Sequence, residues 1–275
     1  MGRRRDYCGA VSELVDDTDL KSVGVKHRVG SSPTRATKGV TLRRSVDEKF
    51  FQVWNEKSAY LIGYICADGC IHKRTGRNKS YVLTITSKDR DHLKKISTIL
   101  KSNYAISRKR SGSGRIAYHV AISNYNLCMS VMGRGVMPNK TLGLGPISVP
   151  RSYLGDFIRG FFDADGSVYI YYVNGVPQLK IEFVCASYKF ITFITEQLSK
   201  RLNIAKKPIH KYLRKDRTNP IYSIVFYIND GQKLYNLMYG HTPELFLERK
   251  FQVFNKWKST KRRKYKVGHD LAPIS

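Results

Sequence analysis

The chain has 275 residues, 41% of them hydrophobic and including 18 Tyr, 12 Phe and 2 Trp, enough to fill a core and to exclude wholesale disorder. Lys plus Arg number 49 against 21 Asp plus Glu, a formal net charge of +28 that repels itself in a compact state and points to a polyanionic partner, nucleic acid first and an anionic membrane surface far behind. No apolar run approaches the roughly 18 residues of a bilayer span, no signal-peptide core follows the basic start, and five scattered cysteines (8, 66, 70, 128, 185) read as free thiols of an intracellular compartment, whether cytoplasmic, nucleoid-associated or organellar.

Residues 1–44 lack sustained periodicity and carry the loop signal Gly30-Ser31-Ser32-Pro33-Thr34, so a disordered N-terminal arm is expected. The same five residues back-translate readily to the T-arm of a transfer RNA gene. This raises the expectation that the start of the reading frame overlaps or abuts such a gene, which codons that do not pair into a cloverleaf would disprove. A first domain is expected over 45–145. Ser58 to Gly69 is an apolar helix closed by Asp-Gly, and strands follow at Cys70–Lys73 and Tyr81–Thr86, the second alternating in hydropathy. Asp89–Ser102 places Leu93, Ile96, Ile99 and Leu100 at helical spacing. Tyr104–Ser123 reads as two strands around a Ser-Gly-Ser-Gly turn at 111–114, and a short helix follows near Tyr125–Met132.

A breaker-rich stretch, Gly143 to Pro150, marks a linker placed at 146–152, after which the order repeats over 153–258. Tyr153 to Gly166 is a second helix closed by Asp-Gly. Strands at 167–173 and 179–185, a helix at 189–202, strands at 208–214 and 221–228 and a helix near 230–239 complete the echo. The pattern αββαββα therefore occurs twice, with Asp68 and Asp165 97 residues apart, which predicts two similar mixed domains rather than a solenoid. A basic tail is expected at 259–275, within a run from Lys256 to Lys266 in which seven of eleven residues are cationic, most simply a non-specific electrostatic tether.

The two echoing helices contain Gly63-x-x-x-Ala67-Asp68-Gly69 and Gly160-x-x-x-Ala164-Asp165-Gly166. Small residues four apart share one helical face and let two backbones approach closely. Helices packed on those faces bring Asp68 and Asp165 together at their C-terminal ends, with the glycines allowing an abrupt exit into a strand. Carboxylates there oppose the macrodipole and repel each other, so a cation is expected between them, and oxygen donors suit Mg²⁺ or Mn²⁺. One Asp-Gly alone is an ordinary turn, but the pair at this spacing in a strongly cationic chain is hard to explain that way.

Leu61-Ile62-Gly63-Tyr64-Ile65-Cys66-Ala67-Asp68-Gly69 and Ile158-Arg159-Gly160-Phe161-Phe162-Asp163-Ala164-Asp165-Gly166 resemble two copies of the motif of the double-motif, monomeric LAGLIDADG homing endonucleases, a likeness covering about 50–258. The resemblance implies an α+β fold of two pseudo-twofold-related αββαββα domains, motif helices packed at the domain interface and paired sheets forming a saddle over double-stranded DNA. It implies metal-dependent hydrolysis of both strands at a long, imperfectly palindromic site. Asp68 and Asp165, with the adjacent backbone of Ala67 and Ala164, match the metal-binding position; Cys66 replaces an acid that Asp163 keeps. Pro138-Asn139-Lys140-Thr141 and Leu247-Glu248-Arg249-Lys250-Phe251 look like the segments that carry a lysine to each site, Lys140 and Lys250, where a cation can stabilise phosphate charge or help activate water. Ser87 and Ser187 match a position that orders water, and turn or N-cap roles explain them equally well. For DNA contacts the family uses one face of each strand, giving the candidates His72, Arg74, Arg108, Arg110, Arg115, His119, Tyr169, Tyr171, Lys180, Lys211, Arg214 and Arg217, more of them phosphate than base contacts.

Other chemistry fails at the sequence level. Cys66-x-x-x-Cys70-x-His72 has no second ligand pair for zinc. There is no Walker loop, no Gly-x-Gly-x-x-Gly and no intein-type terminus, and His210 and His241 are isolated. The rivals to a nuclease are an intron-RNA maturase and a non-cleaving DNA-binding regulator on the same scaffold. Retention of both aspartates and both lysine segments favours the enzyme.

Overall fold

Asn55 starts the first helix. Its side chain accepts the Ser58 N–H at 2.8 Å while Ser58 Oγ accepts the Asn55 N–H at 2.9 Å, a reciprocal capping box. The helix therefore begins at Glu56, two residues ahead of the position the apolar pattern marks. The computed structural model describes residues 43–74, 80–110, 114–213, 218–241 and 243–269, with side chains through 260. Residues 1–42 of the expected arm, including its transfer-RNA-like stretch, lie outside the described residues, as do 111–113 of the expected turn and the side chains of most of the basic tail.

The first domain runs α1 (Glu56–Asp68), β1 (Gly69–Lys73), β2 (Tyr81–Ser87), α2 (Arg90–Ile99), β3 (Ile106–Arg110), β4 (Ile116–Ser123) and α3 (Tyr125–Gly133), with a single turn, α4 (Lys140–Gly143), entering the linker. The second runs α5 (Leu154–Asp165), β5 (Ser167–Val173), β6 (Val176–Cys185), α6 (Tyr188–Leu202), β7 (His210–Tyr212), β8 (Ile221–Tyr227) and α7 (Ile228–Tyr239). Each domain holds a four-stranded antiparallel sheet, ordered β1-β2-β4-β3 and β5-β6-β8-β7. The helices cover one face of each sheet, where Leu83, Ile85, Val120 and Ile122, and likewise Leu179, Ile181, Phe183 and Ile224, are fully buried.

The structure departs from the sequence reading at four further places. Strand β6 starts at Val176 rather than 179, because Asn174 and Gly175 take positive φ (49° and 72°) and form a two-residue hairpin that pairs Val173 with Val176. Strand β7 is only three residues long. Residues 248–269 form one continuous helix, α8, across the expected tail boundary at 259, anchored by Phe254 and Trp257 in the core. Finally, Cys66, Cys128 and Cys185 are free thiols, but half-buried Cys70 on the outer strand β1 is disulfide-bonded, to a partner outside the described residues.

The domains meet through α1 and α5. A Cβ on Gly63 would stand 2.0 Å from the Phe157 carbonyl oxygen, and one on Gly160 would stand 1.9 Å from that of Tyr60. Tyr60 precedes Phe157 by the same 97 residues that separate the two glycines, so the contact is reciprocal about a pseudo-twofold axis. Only hydrogen fits at either place, which is the physical content of the small-residue spacing.

Candidate active site at the ends of the crossing helices

Each motif helix ends by turning straight into the first strand of its sheet. Gly69 and Gly166 have ordinary extended backbones (φ −93° and −73°), so the sharp exit needs no left-handed residue. Glycine is required there for space: a Cβ would meet the Ile65 carbonyl oxygen at 2.7 Å or that of Phe162 at 2.6 Å. These exits leave Asp68 and Asp165 at the C-terminal ends of α1 and α5 and within mutual electrostatic reach. Asp68 is pushed up to about 7, first by burial and then by the charge of Asp165, with Lys250, Lys140 and Lys88 opposing. Asp165 shifts upward as well, through burial, with Lys140 and Lys250 opposing. Asp165 is exposed, so its carboxylate is open to solvent.

Two buried lysines supply the positive charge that this juxtaposition demands. Lys140 Nζ donates to the carbonyl oxygens of Cys66 (2.7 Å) and Ala67 (3.2 Å), capping α1. Lys250 Nζ donates to those of Phe162 (2.6 Å), Asp163 (2.8 Å) and Gly166, capping α5. Burial lowers both ammonium groups, Lys250 to about 8. The offsets are crossed: Lys250 acts more on Asp68, and Lys140 more on Asp165, although each caps the helix of its own half. All three N–H groups of Lys250 are engaged by carbonyls, so its contribution at this site is electrostatic support from behind the carboxylates, not direct contact with a phosphate.

The two serines sit in structural hydrogen bonds. Ser187 caps α6, accepting from the Phe190 N–H at 3.3 Å and donating to the Leu144 carbonyl at 2.6 Å. Ser87 ends β2, accepts the Asp89 N–H at 3.1 Å and lies beside the Tyr64 phenol.

Sequence reasoning assigned no role to a polar network buried between the domains. Tyr60 donates its hydroxyl to Asp163 Oδ2 at 2.8 Å and lies 3.0 Å from His92 Nε2, so the His92 ring carries its proton on Nε2 and donates to Tyr60. Asp163 also accepts the Leu247 N–H at 2.8 Å, which ties the segment delivering Lys250 to the end of α5. Burial raises Asp163 to about 6 against the opposing pull of Tyr60, Lys250, Leu247 and Arg159. Arg159, only 4% exposed, bonds the Leu245 and Met238 carbonyls and Asp156, and its guanidinium lies 5.3 Å from the centre of the Tyr60 ring. An arginine inside an apolar motif, three residues after an aspartate, was the available signal.

Strand register sorts the nucleic-acid candidates by face. Opposed residues in an antiparallel pair share a face, so His72 (opposite Val82) and His119 (opposite Thr86) lie on the helix-free side of the first sheet. Arg74 and Arg115 lie just outside their strands, the Arg74 N–H bonding the Ser80 carbonyl at 2.8 Å. Tyr169, Lys180 and Tyr171 lie on the helix-free side of the second sheet, where Lys180 Nζ stands 5.3 Å from the Tyr169 ring centre and 3.9 Å from Glu182. Arg108 and Arg110 face the other way, opposite Tyr118 and Ile116 on the helix side of β3, and Lys211 does the same opposite Tyr222. Ser107, Lys109, His210 and Tyr212 take the helix-free positions instead. The arginines were chosen for charge, and the period-2 alternation alone could not say which parity faced the helices. Arg214 and Arg217 lie outside the described residues.

Among the described residues no third His, Cys, Asp or Glu joins the two aspartates. The donor set that does exist is hard oxygen: two crowded carboxylates and neighbouring backbone carbonyls. That set fits Mg²⁺ or Mn²⁺. Two domains of one design, joined through helices that each end in an aspartate, define a pseudo-symmetric mixed α+β protein.

Residues 55–127 and 152–238 match the LAGLIDADG-like domain, and the chain belongs to that family. No curated protein matches the sequence. Among solved structures, the fold is similar to that of the meganuclease I-SmaMI bound to uncleaveable DNA (14% identity, TM-score 0.52, 78% of this chain and 93% of that one). It is also similar to I-CpaMI bound to uncleaved DNA (10% identity, TM-score 0.51, 79% and 94%) and to I-AabMI bound to uncleaved DNA (14% identity, TM-score 0.50, 78% and 92%). Among the described residues no helix is long and apolar enough to cross a membrane.

Proposed function

We propose that the protein is a monomeric, site-specific endonuclease that hydrolyses both strands of double-stranded DNA with Mg²⁺ or Mn²⁺, and that it serves the mobility of an intron or free-standing gene. The observation that carries this reading is the carboxylate pair at the ends of the crossing helices, held in mutual repulsion with buried lysines behind it. A fold gains nothing from such a pair unless a cation is recruited in front of it. Asp68 and Asp165, with the backbone oxygens of Ala67 and Ala164, would hold the metal, which supplies Lewis-acid charge at the scissile phosphates. Lys140 and Lys250 oppose the upward shift of the carboxylates and hold the helix ends in register, so the two sites stay fixed relative to each other. The helix-free faces of the two sheets, with His72, His119, Tyr169, Tyr171 and Lys180, would meet the duplex in a saddle. Because the two halves differ in sequence, the target need not be a perfect palindrome.

The test is incubation of the purified chain with Mg²⁺ and DNA spanning the intronless insertion locus of its gene. Discrete double-strand cleavage is expected. Salt-sensitive binding with no cuts would leave a DNA-binding regulator, and tight binding to the host intron RNA with no cuts would leave a maturase.

A further inference from the structure

A second basic feature lies on the helix side of the first domain. A cavity of about 570 Å³ opens between α2 and the start of β3, lined among others by Arg90, Lys94, Ser97, Lys101, Ser102 and Ile106. The residues around it include three cations and no carboxylate. Ser97 is 9% exposed, and its Oγ has no hydrogen-bond partner. Ser102 Oγ accepts the Tyr104 N–H at 3.3 Å, which leaves its proton for another acceptor. Lys94 is held only by an exposed pair with Asp91 at 2.8 Å, a weak restraint. Beyond Ile106, Arg108 and Arg110 lie exposed on the same side of β3. That strand is the outer one of its sheet, so both walls of the groove are cationic.

The corresponding groove of the second domain shows that this charge is local. Lys101 and Asn203 close their helices with matching positive φ (48° and 50°), and the Ser97 and Ser199 carbonyls accept the Ser102 and Ile204 N–H groups in the same way. On that alignment Arg90, Lys94 and Lys101 become Thr192, Glu196 and Asn203. Ser199 Oγ donates to the Ile204 carbonyl at 2.6 Å, and Glu196 is paired with Lys206 at 2.8 Å. At the three aligned positions the second domain therefore carries one acid and no cation, while the first carries three cations; each groove keeps one buried hydroxyl without a partner, Thr192 Oγ1 and Ser97 Oγ. A uniform excess of lysine and arginine does not produce that difference.

We propose that the α2–β3 groove binds the phosphodiester backbone of a nucleic-acid strand that lies outside the saddle. The cationic stripe runs along α2, a ten-residue helix about 15 Å long, to Lys101 just past its end, long enough for several successive phosphates. Guanidinium, ammonium and hydroxyl donors in a cavity lined by no carboxylate, with Asp91 reaching only Lys94 from outside it, are the set that phosphate oxygens take. The strand is either RNA or a continuation of the bound DNA; the phosphate chemistry is shared.

The test uses the full chain in EDTA, so that binding is read independently of cleavage and the failure of the nuclease reading leaves this one intact. The probes are fluorescent oligo(U) and oligo(dT) of about 20 nucleotides and duplexes shorter and longer than about 20 base pairs, read by anisotropy across a salt series. Arg90→Glu with Lys101→Glu is compared with Lys189→Glu and Lys200→Glu on α6, all four residues being exposed. The groove variant is expected to lose about 10-fold or more in affinity and to lower the salt slope by about 2, against a loss of about 3-fold or less in the α6 variant. Ser97→Ala is expected to weaken binding by about 2- to 5-fold at an unchanged salt slope. Selective loss on oligo(U) assigns the strand as RNA, equal loss on both single strands assigns a generic backbone site, and loss confined to the longer duplex assigns flanking DNA. Equal losses in the two charge-reversed variants, or none in either, overturn the proposal.

Discussion

The two halves of the site share a backbone plan and differ in their electrostatics. At the end of α5, Asp163 accepts from Tyr60 and the Leu247 N–H, and Lys250 is fixed by three carbonyls. At the matching place on α1 stands Cys66, a thiol that burial pushes up to about 12 and that stays neutral, and Lys140 is fixed by two carbonyls. Helix crossing tolerates no added atom, so Gly63 and Gly160 keep the same contact, whereas the residue beside the crossing has diverged. The symmetry lives in close-packed backbone, and the asymmetry in the polar groups around it.

The largest expected effects test the symmetric part. Gly63→Val and Gly160→Val each force side-chain carbons into a carbonyl oxygen of the facing helix, and each is expected to cost about 5 kcal/mol or more, with loss of soluble protein or of a cooperative denaturant transition. The two variants should fail alike; a Gly160→Val protein with near-normal stability would show that the crossing is not reciprocal. Next come Asp68→Asn and Asp165→Asn. Either is expected to reduce double-strand cleavage by about 10³-fold, equivalent to about 4 kcal/mol, while leaving duplex affinity nearly unchanged in a gel-shift titration. Normal cutting by either variant would remove that residue from the site.

Much of this was legible before the coordinates. Hydropathy period and Asp-Gly punctuation placed all eight strands, and the paired small residues placed the crossing, because each of those signals is local or repeated. The electrostatic proximity of Asp68 and Asp165 followed from the crossing alone. What escaped was set by partners distant in sequence. The carbonyls that engage Lys140 and Lys250 lie more than 70 residues away, and only the fold shows that the ammonium groups turn inward. Arg108 and Arg110 were placed on the wrong side of β3 for a saddle, since strand parity is fixed by pairing with β4. The Asn174-Gly175 hairpin and the Asn55-x-x-Ser58 capping box, in contrast, were local signals that could have been read.

The buried network supplies a third contrast, because only one half contains a titratable imidazole. His92 is 4% exposed, and aligning the two helices from their C-terminal ends places fully buried Ile194 at its counterpart. Burial holds His92 down to about 4. The unfolded chain takes up that proton near the ordinary histidine value, about 6.5, so the unfolded state binds more protons between these two values and stability falls as the pH is lowered through that window. The loss attributable to His92 is about 3 kcal/mol. Asp68 and Asp163, raised to about 7 and about 6, push the other way as the pH falls, so the measurement must be a difference. Wild type minus His92→Gln, from urea unfolding at pH 7 and pH 4, is expected to shift by that amount. A constant difference would mean that His92 takes up its proton at the same pH in the folded and the unfolded chain.

The smallest effect separates the two lysines. Lys140→Met leaves two carbonyls at the end of α1 without their donor, and Lys250→Met leaves three at the end of α5. With about 1 kcal/mol for each buried acceptor left unpaired, Lys250→Met should be the less stable of the two by about 1 kcal/mol in urea unfolding. The crossed charge pairing gives the same variants a sharper signature. Losing Lys250 removes the cation that most offsets Asp68, so Asp68 should titrate higher still in Lys250→Met, while Lys140→Met should move Asp165 further than Asp68. Carbon-detected NMR titration of the two side chains reads this directly. If each lysine instead shifted the aspartate of its own half more, the crossed charge pairing would be wrong.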